Sequence, residues 1–220
     1  MRVLVACEHS GIVRDAFAKL GHDTWSCDVL PSMRPGNHIQ GDVRQVLNDG
    51  WDLMIAHPPC RYLSYAGMRY WHQPGRAEKR AEAMALFMEL VNAPIHRICI
   101  ENPRGYPNQA YRKPDQVIHP YYFGDPHLKR TCLWLKNLPL LWWQKDDDLF
   151  GKRTMIAKPE PIGVDSATSK YPGKRRHFTD GATRNPLERS RTFPAVAAAM
   201  ATQWGMSNER VSENLLINWL

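Results

Sequence analysis

Trp51-Asp52-Leu53-Met54-Ile55-Ala56-His57-Pro58-Pro59-Cys60 decides how this chain is read. Trp51 to Ala56 is a short apolar run, fit for a strand buried on both faces as in a parallel sheet. The Pro-Pro pair then stops it. Each proline lacks an N–H and fixes its φ, and the residue before a proline is pushed toward extended backbone. The next side chain, the thiol of Cys60, is therefore held where the strand ends. A thiolate is a good nucleophile, and an ordinary thiol titrates near pH ~8.5. The competing reading is a structural cysteine, since unbridged cysteines are among the most buried residues; the Pro-Pro context favours the nucleophile.

Working outward, strand and helix patterns alternate on both sides. Arg2–Ala6, His22–Cys27, Ile95–Ile100 and Thr131–Leu135 read as further strands. Gly11–Leu20 carries apolar residues at helical spacing. Arg76–Asn92 is the best helix, with Ala77, Ala81, Met84, Ala85, Met88 and Val91 expected on its buried face. Another helix opens at Thr192-Phe193-Pro194, with proline in its first turn, and runs to Gly205. This order predicts an α/β fold: an open, mostly parallel sheet with helices on both faces and its ligands at the carboxyl ends of the strands. At one such end, Ile98-Cys99-Ile100-Glu101-Asn102-Pro103 offers an acid.

Pro58-Pro59-Cys60 and Glu101-Asn102, about forty residues apart with one helix between, resemble the catalytic motifs of cytosine-5 DNA methyltransferases. The resemblance covers roughly residues 1–135 and the helix from Thr192. It implies a Rossmann-like methyltransferase fold with S-adenosyl-L-methionine as cofactor. Its cofactor side would comprise Cys7, Glu8, Ser10, Gly11, Asp28, Asp42 and Pro58. Of these, Asp28 matches the acid on the ribose hydroxyls, Asp42 the one near adenine, and Glu8 and Ser10 would meet the methionine end. His127-Leu128-Lys129-Arg130-Thr131 is similar to the basic motif near the reacting base, so Cys60, Glu101, Lys129 and Arg130 form the implied catalytic set. His57 stands where the family has a smaller or aromatic residue.

The implied chemistry suits these side chains. Carbon 6 of cytosine is a poor electrophile, and a carboxyl group that hydrogen-bonds and protonates ring nitrogen 3 makes thiolate attack there feasible. Carbon 5 of the adduct then accepts a methyl group, and loss of its proton expels the thiolate. Methylation of an exocyclic amine is disfavoured, because such enzymes place an aromatic residue after Pro-Pro. Two alternatives stay open: the same chemistry on a nucleotide or a single strand, and a non-catalytic nucleic-acid binder.

Composition agrees with a nucleic-acid partner without requiring one. The chain has 220 residues, enough for a single domain, with 43% hydrophobic and 23% charged residues and a formal charge of +7. Residues 151–220 hold 11 basic against 6 acidic groups, and residues 1–150 hold 18 against 16. A solvated basic surface explains this as well as DNA does. Arg61, Tyr62, Ser64 and Arg69 lie in an arginine- and aromatic-rich stretch after Cys60, suited to phosphate contact and base stacking. Lys174, Arg175 and Arg176 form a second basic run. These seven are the candidate DNA contacts, on double- or single-stranded DNA.

About 55 residues, 136–190, stand where larger enzymes carry a target-recognition domain, and are read as a variable insertion within one domain spanning 1–220. Homodimerisation would let a second subunit supply missing DNA contacts. Five widely spaced cysteines with no CxxC pair suggest neither zinc nor disulfides. The short apolar N-terminal stretch is not a signal peptide, and no apolar run reaches about eighteen residues. The expected location is the cytoplasm, that of a host if the chain is viral.

Overall fold

The computed structural model describes residues 1–143 and 192–205, and between them 145–146, 153–154, 157–161, 163–164, 166–168, 172–173 and 175–176. Seven strands form the main sheet: β1 (Arg2–Ala6), β2 (Asp23–Asp28), β3 (His38–Gln40), β4 (Leu53–Ala56), β5 (Arg97–Pro103), β6 (Gln116–Ile118) and β7 (Thr131–Lys136). Their order is β3-β2-β1-β4-β5-β7-β6. β3 through β5 pair in parallel, whereas β7 runs antiparallel to both of its neighbours. This is a Rossmann-like α/β sheet, with the strand order reversing between β1 and β4.

The continuous apolar strands are explained by burial on both faces. In β1, Val3 and Val5 point to one side and Leu4 and Ala6 to the other, the period of two that a strand imposes. On the Val3 side pack helix α1 (Ile12–Ala18), through Val13 and Phe17, and the final described helix, through Met200 and Trp204. On the Leu4 side pack α2 (Arg76–Val91) and a 3₁₀ turn at Val43–Val46. A four-residue helix α3 (Pro107–Ala110) follows β5, and α4 (Pro194–Gly205) is the final described helix. Each fully buried large side chain here contributes roughly 1.5–3 kcal/mol.

Two expectations are refined. Of the face expected to be buried on α2, Met84, Met88 and Val91 pack against the core beside the fully buried Phe87 and Leu90, while Ala77, Ala81 and Ala85 are exposed. Phe87 packs edge-on to Trp134 with ring centroids 5.2 Å apart, and one aromatic ring buries more apolar area than several alanines. β5 does not end at Ile100 but continues through Glu101 to Pro103, because β7 supplies a partner that far. Trp142 is 65% exposed, while Trp143 stacks on Tyr122. The short strands β3 and β6 carry too few residues to show a period.

In the 136–190 stretch, two antiparallel ribbons are described: β8 (Lys145–Asp146) with β9 (Arg153–Thr154), and β10 (Gly163–Val164) with β11 (Arg175–Arg176). Among the described residues, no helix is long and apolar enough to cross a membrane.

Candidate active site

Parallel pairing puts the ends of β1, β2, β3 and β4 at one edge of the sheet, where Asp28 closes β2 and Cys7, Asp42 and Cys60 follow β1, β3 and β4. Because β7 is reversed, its start lies at that edge too. Thr131 pairs with Pro103, so Lys129 and Arg130 arrive beside the end of β5.

The Cys60 segment is braced against β5 at several points. His57 Nδ1 and Glu101 Oε2 are 3.0 Å apart. Asn102 Nδ2 donates to Pro58 O at 2.8 Å, a bond buried at both ends. Past the cysteine, the N–H groups of Leu63 and Ser64 donate to Cys60 O, closing a tight turn. Tyr106 N donates to Leu63 O at 2.7 Å, and Ser64 bridges to Gly105. A Cβ at Gly105 would lie 2.0 Å from Leu63 O, so only glycine permits this approach. Cys60 itself is exposed while Leu63 beside it is fully buried, which anchors the segment and presents the thiol.

Both ends of this pair are largely buried, the His57 side chain 9% and the Glu101 side chain 15% exposed. Burial pushes its carboxyl upward. The His57 hydrogen bond, the charges of Lys129 and His57, and the Thr131 hydroxyl outweigh that and hold it below the usual carboxylate range. Glu101 is thus an anion at neutral pH. Glu101, Lys129, Thr131 and Phe193 are among the walls of a small cavity of about 20 Å³. Arg130 is exposed, and its charge falls on His119, whose pKa is lowered first by burial and then by Arg130 and Lys158. The adjacent basic residues therefore face different neighbours.

On the other side of the edge, Cys7 adopts a left-handed backbone (φ 57°) at the end of β1. Burial and the nearby Asp28, Cys27 and Asp42 push its thiol up to about 12. Asp28 and Asp42 thus converge on Cys7. Asp28 Oδ1 accepts from Leu30 N at 2.9 Å. Asp42 caps the 3₁₀ turn, and the Arg44 amide and guanidinium hold its carboxyl below the usual range against the opposing effect of burial.

Glu8 and Ser10 meet each other at the start of α1. The Glu8 carboxylate is buried and accepts from Ser10 Oγ (3.0 Å), Val13 N (2.8 Å) and Arg14 N (3.2 Å). It caps α1, satisfying N–H groups that a helix start leaves open. Gly11 is needed because it takes φ +71° and because a Cβ there would come within 2.6 Å of the Arg14 guanidinium. Arg14 was not legible in the sequence. It is buried, pairs with Asp15, and gathers the 32–35 loop through Ser32 Oγ, Arg34 O and Pro35 O.

In the stretch after Cys60, cations and aromatic rings engage each other. The guanidinium of Arg61 lies over Tyr62 at 5.5 Å and that of Arg69 over Tyr70 at 4.7 Å, while Arg80 sits over Trp71 at 4.6 Å. Ser64 Oγ accepts from Ala66 N, capping a 3₁₀ turn over Tyr65–Tyr70. Arg61 and Arg69 are exposed. Arg175 and Arg176 form β11, and Lys174 lies outside the described residues.

No protein-family model matches the chain, and no curated protein matches it. Among solved structures it is similar to a prophage-encoded E. coli protein described as a DNA modification methyltransferase, at 16% identity and TM-score 0.39, over 61% of this chain and 46% of that one. It is similar to the Entamoeba histolytica methyltransferase EhMeth at 14% identity and TM-score 0.46, over 66% of this chain and 57% of that one. It is also similar to the S. pombe Dnmt2 methyltransferase at 16% identity and TM-score 0.41, over 64% and 51%. The chain spans about half the length of the structures it matches.

His57 is the site residue whose role the sequence left unread. Its position before Pro-Pro was visible. Its partner, 44 residues away, was not.

Proposed function

We propose that this chain is an S-adenosyl-L-methionine-dependent methyltransferase that acts on carbon 5 of cytosine in DNA through a covalent Cys60 adduct. The observation that carries this reading is the bracing of the Cys60 segment against the strand holding Glu101, by the His57–Glu101 and Asn102–Pro58 contacts. A nucleophile and an acid group are thereby fixed at adjacent strand ends, as attack on a pyrimidine ring requires.

The Cys60 thiolate adds to carbon 6, and Glu101 meets ring nitrogen 3, where negative charge builds up. Lys129 sets the charge around Glu101. S-adenosyl-L-methionine, when bound, would supply the methyl group for carbon 5. Loss of the carbon 5 proton to water then restores the ring and expels the thiolate. Asp28 and Asp42, converging on Cys7, fit the ribose and adenine of the cofactor: carboxylates accept from a ribose diol and from an exocyclic amine. Glu8 and Ser10, at the start of α1, stand at the methionine end. Residues 136–190 take the place of a target-recognition domain, and exposed Arg61 and Arg69 with the basic run meet phosphates.

A duplex bearing 5-fluorocytosine tests the reading, since fluorine cannot leave as a proton does. With S-adenosyl-L-methionine the parent protein should form an adduct that survives denaturant, and Cys60→Ser should not. No adduct on duplex, single strand or nucleotide, with cofactor binding intact, would leave the binding-only alternative. An adduct confined to single strands or nucleotides would reassign the substrate.

A further inference from the structure

Glu101 is asked to deliver a proton, yet its surroundings keep it ionised. His57 meets it from the end of β4 with Nδ1 3.0 Å from Oε2. Lys129 and Thr131 act on it from the start of β7, and behind it on β5 lies Cys99, whose thiol burial pushes well above the usual range and keeps neutral. Lys129 adds charge, and Thr131 offers only a hydroxyl. Histidine is the side chain whose charge changes between about pH 5 and 8.

The His57 ring is oriented for Glu101 at a cost. Its side chain is 9% exposed, and Nε2 is buried with no hydrogen-bond partner among the described residues. The contact the ring does make is the one that aims Nδ1 at the Glu101 carboxylate.

We infer that His57 is a positioning residue that stores the proton Glu101 passes to the pyrimidine. This rests on the proposed cytosine-5 reading. The pair starts as imidazolium and carboxylate. As the thiolate adds to carbon 6, the Nδ1 proton moves to the Glu101 carboxylate and on to ring nitrogen 3. Neutral His57, ionised Glu101 and a protonated ring nitrogen remain. When the thiolate is expelled, nitrogen 3 returns the proton and the pair is restored, so no net proton is consumed by this relay.

The requirement for imidazolium opposes the requirement for thiolate, so the parent pH–rate profile should be bell-shaped. His57→Asn keeps an N–H donor near the Nδ1 position but no titratable proton. Its rate should fall about 100-fold, within the range for general acid–base catalysis, and the alkaline limb due to imidazole should disappear. Melting temperature and cofactor binding should stay near the parent's. An unchanged rate and profile in His57→Asn would overturn the inference. If that variant does not fold, nitrogen-15 spectra of the parent decide: a His57 ring that stays neutral throughout the active pH range overturns it, and one that protonates within it supports it. A parent that forms no 5-fluorocytosine adduct refutes the underlying reading; a parent that does, with a His57→Asn variant like it, refutes this inference alone.

Discussion

Asn102 and Pro58 are 44 residues apart in the chain, and Asn102 Nδ2 donates to Pro58 O at 2.8 Å in the buried interior. Proline offers no N–H, so the Pro58 carbonyl is the polar group available there, and it is satisfied by the residue next to Glu101. The bond fixes the spacing between the Cys60 turn and β5.

Asn102→Ala leaves that carbonyl buried and unpaired. Stability should drop by about 1–3 kcal/mol in chemical denaturation, and the 5-fluorocytosine adduct should form more slowly as the Cys60 turn loosens. Loss of stability with unchanged adduct formation would show that the bond serves the fold only.

The other four cysteines provide an internal comparison for Cys60. Burial and neighbouring acids push Cys7 to about 12 and Cys27 to about 11, and burial raises Cys99 and Cys132 as well. Alkylation needs thiolate and access. At neutral pH, peptide mapping of the native protein should find iodoacetamide first on exposed Cys60, and Cys60→Ser should remove that early label. Early labelling of Cys7 or Cys27 would contradict this order.

Asp28→Ala should weaken S-adenosyl-L-methionine binding in calorimetry by roughly 1–3 kcal/mol, the cost of losing hydrogen bonds to a charged group. Unchanged affinity would take Asp28 out of the cofactor site.

Gly105→Ala places a Cβ 2.0 Å from Leu63 O, and backbone on both sides leaves little room to yield. The variant should lose about 1–3 kcal/mol or more of stability, measured by denaturant titration. A variant as stable as the parent would mean that the Leu63–Gly105 approach is looser than described.

Acid should destabilise the protein partly through Glu101. Its folded carboxyl lies below the ordinary value, so its stabilising contribution is complete above the unfolded pKa of ~4.3 and is lost as pH falls through the folded value. Thermal melts of Glu101→Gln should fall less steeply than the parent's across that acid window. Parallel curves would mean that the carboxyl is not held low.

Much of this was legible in the sequence because it is local. Apolar runs such as Leu53–Ala56 set the strands, Pro58-Pro59 set where β4 ends, and Pro194 marked the start of α4. Nucleophile and acid stood out because each follows or closes an apolar run. What the tertiary structure decided was pairing between distant segments. The reversal of β7 brings Lys129 to Glu101 and lets β5 run to Pro103, and no local period encodes a strand's partner. The buried face of α2 was set by Phe87 meeting Trp134. Glu8 caps a helix, Arg14 is buried under a loop, and His57 holds Glu101, because side-chain polar groups taken out of water bond to whatever the fold brings within reach. Residue types and strand ends come from sequence; which side chain answers which comes from packing.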